Sequence, residues 1–95
     1  MTHHVQKETE LENKLKAAHE AQAQEMIASA GASYDQQLAA YYDAVNACAV
    51  TPCTVQPVRP QMPSDLANYG GSYGYEAPEY AEVEDASGVV TFVPM

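Results

Sequence analysis

The hydrophobic and polar positions of this chain change pattern at Thr51-Pro52. Up to Val50 the chain is rich in Ala, Gln and Glu, and its apolar residues recur at helical spacing. Beyond Pro52 it is rich in Pro, Gly, Tyr and acidic residues and has no regular period. The pattern predicts a mainly α protein with a helical segment over residues 1–50 and an extended acidic arm over residues 51–95. We expect the two to form one non-autonomous unit.

Two capping boxes in the helical segment predict two helix starts. Thr9-Glu10-Leu11-Glu12 places the first start at Thr9, and Ser33-Tyr34-Asp35-Gln36 places the second at Ser33. Gly31 is a typical helix stop between them. The short gap permits a helical hairpin and equally permits one long kinked helix. The last helical residue should be Val50, because a residue that precedes proline avoids the α conformation.

The second helical stretch carries the clearest amphipathic stripe in the sequence. Its large apolar side chains recur every three or four residues and therefore share one face of the helix. We expect this face to dock on a partner protein. The predicted docking residues are Tyr34, Leu38, Tyr42 and Val45.

The arm begins as a connector and ends in a strand. Prolines at positions 52, 57, 60 and 63 favour extended polyproline geometry. Asp85-Ala86-Ser87-Gly88 predicts a turn before one short β-strand. No run of comparable quality is evident to pair with it, so we expect this strand to join a partner's sheet. Its predicted contact residues are Val89, Val90, Phe92 and Val93.

Four tyrosines lie between the connector and the strand. Tyrosine offers a large apolar face and one hydrogen bond at a low entropic cost, which suits a segment laid over another protein's surface. The alternative is a disordered Tyr/Gly tail. We expect an arm that is ordered on a partner, with contacts from Tyr69, Tyr73, Tyr75 and Tyr80.

The size and composition of the chain argue against a self-sufficient core. A domain of 95 residues buries only about 60 to 65% of its unfolded surface. Here the chain has no Trp and one Phe, and much of its apolar content is Ala and Tyr. We therefore expect no autonomous core and a fold that depends on a partner.

The charge distribution argues against direct nucleic-acid binding as a function. The net charge is −9, and no basic residue follows Arg59. The few Lys and Arg residues form no dense patch that could neutralise phosphates. An acidic arm suits a basic protein surface instead. No apolar run approaches the length of a membrane span, and from the polar start we expect no secretory signal peptide.

The two cysteines are the first candidates for site chemistry. Cys48 and Cys53 resemble half of a zinc site, but a structural zinc needs four ligands and the nearest His is His19. We expect reduced thiols, given synthesis in the cytosol, with a small disulfide loop as the alternative. His3 and His4 lie where an amino terminus can bind Cu(II) or Ni(II), but a frayed terminus is the simpler interpretation.

The acidic run near the carboxyl end, Glu76, Glu79, Glu82, Glu84 and Asp85, does not predict chemistry. It lacks the alternating pattern of a calcium loop. It also lacks the walled cleft in which paired carboxylates do acid and base work. We expect a solvated or partner-facing surface. Since no other motif supplies a nucleophile, a phosphate loop or a pocket, the sequence predicts no enzyme, no cofactor and no metal site.

The function that these observations favour is a small structural subunit that orders on a large protein assembly and stabilises it. Its partners would be other protein subunits, with several copies of this chain in each assembly. Capsid cement, portal and tail adaptor proteins of bacteriophage particles often have this build, so we expect a virion assembled in the host cytoplasm. The alternative is a regulatory adaptor or inhibitor that folds on binding a partner protein.

Overall fold

One uninterrupted helix, α1 (Thr2–Val50), dominates the computed structural model, which describes the backbone from residue 2 and the side chains from residue 10 onward. A short helix α2 (Ser64–Tyr69), a 3-10 turn (Gly70–Tyr73) and two strands follow. The strands are β1 (Tyr80–Glu84) and β2 (Val90–Pro94). The described chain measures 79 × 24 × 15 Å, so the predicted mainly helical, extended protein is confirmed.

The sequence left open a helical hairpin or one long kinked helix. The structure has one long helix, and α1 passes through Gly31 without a break. The helix also begins before Thr9, which lies in its interior. Neither capping box marks a helix start. The Ser33 hydroxyl accepts a hydrogen bond from the Gln37 side chain at 3.3 Å, one turn along the helix. The many Ala, Gln and Glu residues on both sides have high helix propensity, which offsets the cost of one internal glycine.

The arm folds back along the helix. Residues 52–63 have no regular secondary structure, as the prolines predict. At about 3.1 Å per residue, an extended connector of this length covers about 40 Å. That suffices for the return from Val50 to Ile27, which lie about 35 Å apart along a helix rising about 1.5 Å per residue. The connector thus brings Leu66 of α2 beside Ile27, in the middle of α1.

The chain then returns towards the carboxyl end of α1 as a β-hairpin. β1 and β2 pair antiparallel, with Glu82 opposite Phe92. The predicted turn at residues 85–88 is confirmed, and the Asp85 carboxylate organises it. This carboxylate accepts hydrogen bonds from the Ser87 hydroxyl and from the backbone N–H groups of Ser87 and Val89. These donors, the Ser87 hydroxyl first, lower the pKa of Asp85 below its ordinary value.

The prediction that β2 has no partner strand in its own chain is wrong. Its partner is Tyr-Ala-Glu-Val-Glu, residues 80–84. This segment alternates with a period of two, but glutamate is a poor strand former and obscures the pattern. Pairing with a neighbouring segment outweighs that weak intrinsic preference.

Buried side chains form one small cluster rather than a compact core, as expected. Among residues 10–95, the buried hydrophobic residues are Ile27, Tyr34, Leu38 and Leu66. Leu38 and Leu66 are nearly inaccessible, with 1% and 2% of their surface exposed. Half-buried tyrosines from the arm surround the cluster. The arm therefore supplies the cover that one helix face needs, and neither part buries an apolar core alone.

Tyr75 joins the arm to the helix through a close contact with two glycines. A Cβ atom built on Gly31 would lie only 2.7 Å from the Tyr75 ring. A Cβ on Gly70 would lie 3.2 Å from the same ring. The Tyr75 hydroxyl donates a hydrogen bond of 2.7 Å to a carboxylate oxygen of Asp35. Burial first, and then this carboxylate, raises the pKa of Tyr75 well above its ordinary value. Gly31 thus leaves the space that the Tyr75 ring occupies, and it does not end the helix.

Gly31→Ala is expected to destabilise the protein, although alanine is the better helix former by about 1 kcal/mol. The added methyl group would overlap the Tyr75 ring, and the short distance to Gly70 limits the ring's room to shift. We expect a net loss of about 1 to 3 kcal/mol, as for an overpacked site. Urea unfolding followed by circular dichroism measures it.

Gly71→Ala is the matched control, because open space surrounds a Cβ at that position. Its stability should stay within about 0.5 kcal/mol of the parent. A Gly31→Ala protein as stable as the control would contradict the assigned role of Gly31.

Candidate partner-binding surfaces

The first open surface is the amino-terminal part of α1, which the arm leaves uncovered. Every side chain from Glu10 to Gln22 is exposed, and we call this segment the rod. Leu11 and Leu15 lie one turn apart on it, 60% and 59% exposed. These leucines belong to a narrow apolar stripe between charged residues. A stripe of this kind can pack against a helix of another chain.

The second open surface is an apolar groove between the arm and the part of α1 that follows the rod. Its volume is about 440 Å³, and its walls come from α1, the end of the connector, α2 and the 3-10 turn. Met26 and Tyr69 stand at the groove with 60% and 57% of their surface exposed. The groove is lined by Ala23, Met26, Ile27, Ala30, Pro63, Asp65, Tyr69 and Tyr73.

The predicted docking stripe of α1 is occupied by the chain's own arm. Tyr34 and Leu38 are buried, and Val45 is half-buried. The Tyr42 ring stacks on Tyr80 with 4.0 Å between ring centroids. Arg59 of the connector donates a hydrogen bond of 2.7 Å to the Tyr42 hydroxyl. These residues are therefore not open to a partner while the arm is in place.

Three of the four arm tyrosines, Tyr73, Tyr75 and Tyr80, pack against the buried cluster of the chain itself. Tyr73 also lines the apolar groove together with Tyr69, which is mainly exposed. Sequence spacing does not separate these rings, since only the folded arm decides which of them meet the cluster.

Asn46 fixes the hairpin on α1, and sequence reasoning missed it. Its side-chain amide donates a 2.8 Å hydrogen bond to the Phe92 carbonyl and accepts one of 2.7 Å from the Phe92 N–H. This pairing replaces a neighbouring strand at the outer side of β2. A single asparagine on a helix face has no distinguishing sequence signal, because its partner lies 46 residues away.

The predicted strand residues lie at the hairpin with differing exposure. Phe92 is half-buried, and its ring lies 5.2 Å from the Tyr42 ring between centroids. Val89 is half-buried, whereas Val90 and Val93 are 38% and 42% exposed. With β1 on one side and Asn46 on the other, most backbone hydrogen-bonding groups of β2 find partners within the chain.

Cys48 and Cys53 form a disulfide bond, so the expectation of reduced thiols is wrong. The bond closes a short loop where α1 ends and the connector begins.

Among the described residues, no cluster of three or more His, Cys, Asp or Glu side chains could hold a metal ion. The His3 and His4 side chains lie outside the described side chains. The described helices also contain no segment with the length and apolar character needed to cross a bilayer.

Comparison of the chain with models of protein families, with curated protein sequences and with solved structures finds no match.

Asn46→Ala should release the hairpin from the helix while α1 stays folded. The substitution removes two hydrogen bonds and leaves the Phe92 backbone groups unpaired. We expect this to lower the free energy of unfolding by about 1 to 3 kcal/mol. Amide hydrogen exchange at Phe92 should accelerate strongly. Asn13→Ala, at an exposed rod position, is the control. Unchanged exchange at Phe92 would show that the asparagine does not hold the strand.

Reduction of the disulfide should loosen the junction between α1 and the connector. A bond that closes so short a loop restricts the unfolded chain modestly, so we expect a loss of about 2 kcal/mol. Cys48→Ala/Cys53→Ala and the reduced parent should melt alike in a calorimeter. A reductant that lowers the melting temperature of the double variant as well would contradict this account.

Proposed function

We propose that this protein is a small structural subunit of a large protein assembly, to which it binds through the rod. The observation that supports the proposal is the exposure of every side chain from Glu10 to Gln22 in a folded chain. The arm is long enough to cover the other half of α1, and it turns back near Ile27. The rod is thus left as a free surface.

The physics of isolated helices supports a partner for the rod. Residues 2–22 form a helical stretch of about 30 Å. A helix of this length without tertiary contacts is marginal in water, because packing supplies most helical stability in proteins. Leu11 and Leu15 would gain burial if a partner helix packed against them. Contact with an assembly would therefore stabilise both the rod and the join between subunits.

The charge distribution of the arm supports a basic protein surface as its partner. The arm after Arg59 carries six acidic residues and no basic one, and all six are exposed. All three lysines precede residue 17, in or beside the rod. The two ends of the molecule therefore present different chemistry, which suits a piece that bridges unlike neighbours.

A virion is the assembly that we propose, with several copies of this chain in each particle. The disulfide fits a particle that passes into an oxidising environment after assembly, since disulfides persist on virion surfaces and are rare in the cytosol. The second candidate is a regulatory adaptor that folds on binding. The unsupported helix of the rod favours the adaptor as much as the assembly subunit. The number of copies of this chain in each complex separates the two candidates.

Leu11→Gln/Leu15→Gln should abolish incorporation into the assembly without unfolding the arm and its helix face. Both side chains are exposed, so their loss should change the stability of the free chain by less than about 0.5 kcal/mol. We expect the parent chain, expressed in its natural host, to sediment with large particles in a fixed ratio of many copies. The double variant should remain in the slow fractions.

Glu12→Gln is the matched control on the same exposed segment, and it should sediment like the parent. Quantitative mass spectrometry of gradient fractions gives the ratio. A parent chain found only as a monomer, or in a one-to-one complex with a small partner, would argue against the assembly subunit and for the adaptor.

A further inference from the structure

The β-hairpin has one strand edge that the chain does not use. Hydrogen bonds join Met95 to Glu79 and Asp85 to Val89 at the two ends of the ladder. Antiparallel strands bond at alternate residues, so the backbone groups of Tyr80, Glu82 and Glu84 point away from β2. Apart from the ladder itself, none of the hydrogen bonds among the described residues involves these groups.

The two outer edges of the hairpin differ in their contacts with α1. Asn46 pairs with the N–H and C=O groups of Phe92 at the edge of β2, and α1 packs along that strand. No backbone contact of α1 reaches β1 among the described residues. The edge of β1 therefore faces away from the helix. An open edge of this kind can accept a strand from another chain.

The side chains of β1 define the chemistry of a matching strand. Glu82 and Glu84 lie on one face of the strand, and both are exposed. Val83 lies on the other face, 45% exposed, and Val93, the partner of Ala81, lies diagonally across from it on the same face, 42% exposed. A strand laid along this edge would place alternate side chains against the two carboxylates and the others against the valines.

We propose that the outer edge of β1 binds an extended segment of a partner protein in which Lys or Arg alternates with apolar residues. The inference rests on the proposed function, since it names the segment of a neighbouring subunit that the arm would bind. It replaces the earlier expectation that β2 is the strand offered to a partner.

Charge argues against a second copy of this chain as the occupant. Two β1 edges paired with each other would bring Glu82 and Glu84 of one copy against the same carboxylates of the other. Like charges directly opposite across strands are destabilising. Glutamates at an exposed edge thus disfavour self-pairing and favour a basic strand.

The test uses the full chain and a synthetic peptide, acetyl-Lys-Val-Lys-Val-Lys-amide, followed by nuclear magnetic resonance. We expect the peptide to shift the amide signals of Glu82 and Glu84 and to slow their hydrogen exchange. A peptide with Glu in place of every Lys should bind at least about tenfold more weakly. Peptide binding that leaves the β1 amides unchanged would overturn the proposal, and so would equal binding of the acidic peptide.

Glu82→Pro and Glu82→Gln separate the backbone edge from the charge. Proline removes the outward N–H while leaving the ladder bonds in place, and should weaken peptide binding at least about tenfold. Glutamine keeps the N–H and should weaken binding only about two- to threefold. Retained protection of the Phe92 amide shows that the hairpin remains folded. Equal binding by parent and proline variant would contradict an edge site.

Two further measurements separate the possible failures. Protection of the Glu82 amide that grows with protein concentration, without peptide, would identify a second copy as the occupant and overturn the proposal. The Leu11→Gln/Leu15→Gln protein should bind the peptide like the parent, because the rod lies outside the hairpin. If the peptide does not bind at the edge of β1, the rod variant still tests the proposed function. If the rod variant is incorporated like the parent, the peptide still tests the edge of β1.

Discussion

The packing of Tyr75 on Gly31 is the contact on which the rest of the structure depends. The ring lies so close to the helix backbone that only glycine fits beneath it, and Gly70 lies against the ring from the arm. The hydroxyl reaches the Asp35 carboxylate, one turn further along α1. This contact holds the arm at the middle of α1. The connector before it and the hairpin after it can then follow the same helix face.

The arm covers one half of α1 and leaves the other half exposed. Residues around Leu38 are protected by the arm, and the rod is exposed throughout. Burial of so few side chains leaves the folded part with a small margin of stability. The disulfide and the paired hydrogen bonds of Asn46 add restraints that such a small core needs. We propose an assembly because a helical segment with no packing partner among the described residues would gain stability from contact with another chain.

The candidate surfaces differ from those that sequence patterns favour, and the reason is competition within the chain. The stripe from Tyr34 to Val45 has the spacing of a docking face, and the nearest apolar surface able to fill it is the arm of the same molecule. An intramolecular partner has an advantage over a separate protein, because it loses no translational freedom on contact. The surfaces that stay exposed are therefore the rod, the apolar groove beside Met26 and the edge of β1.

Local preferences, read from the sequence alone, determined the helical first half, the extended proline-rich connector and the turn at residues 85–88. Each depends on a few neighbouring residues, such as the carboxylate of Asp85 and the donors just after it. The tertiary structure alone decided that Gly31 continues the helix, that residues 80–84 form a strand and that Asn46 holds Phe92 of β2 on the helix. Those outcomes depend on partners some 40 or more residues away in several cases. No local pattern encodes such pairs, because the contact exists only after the arm has folded back.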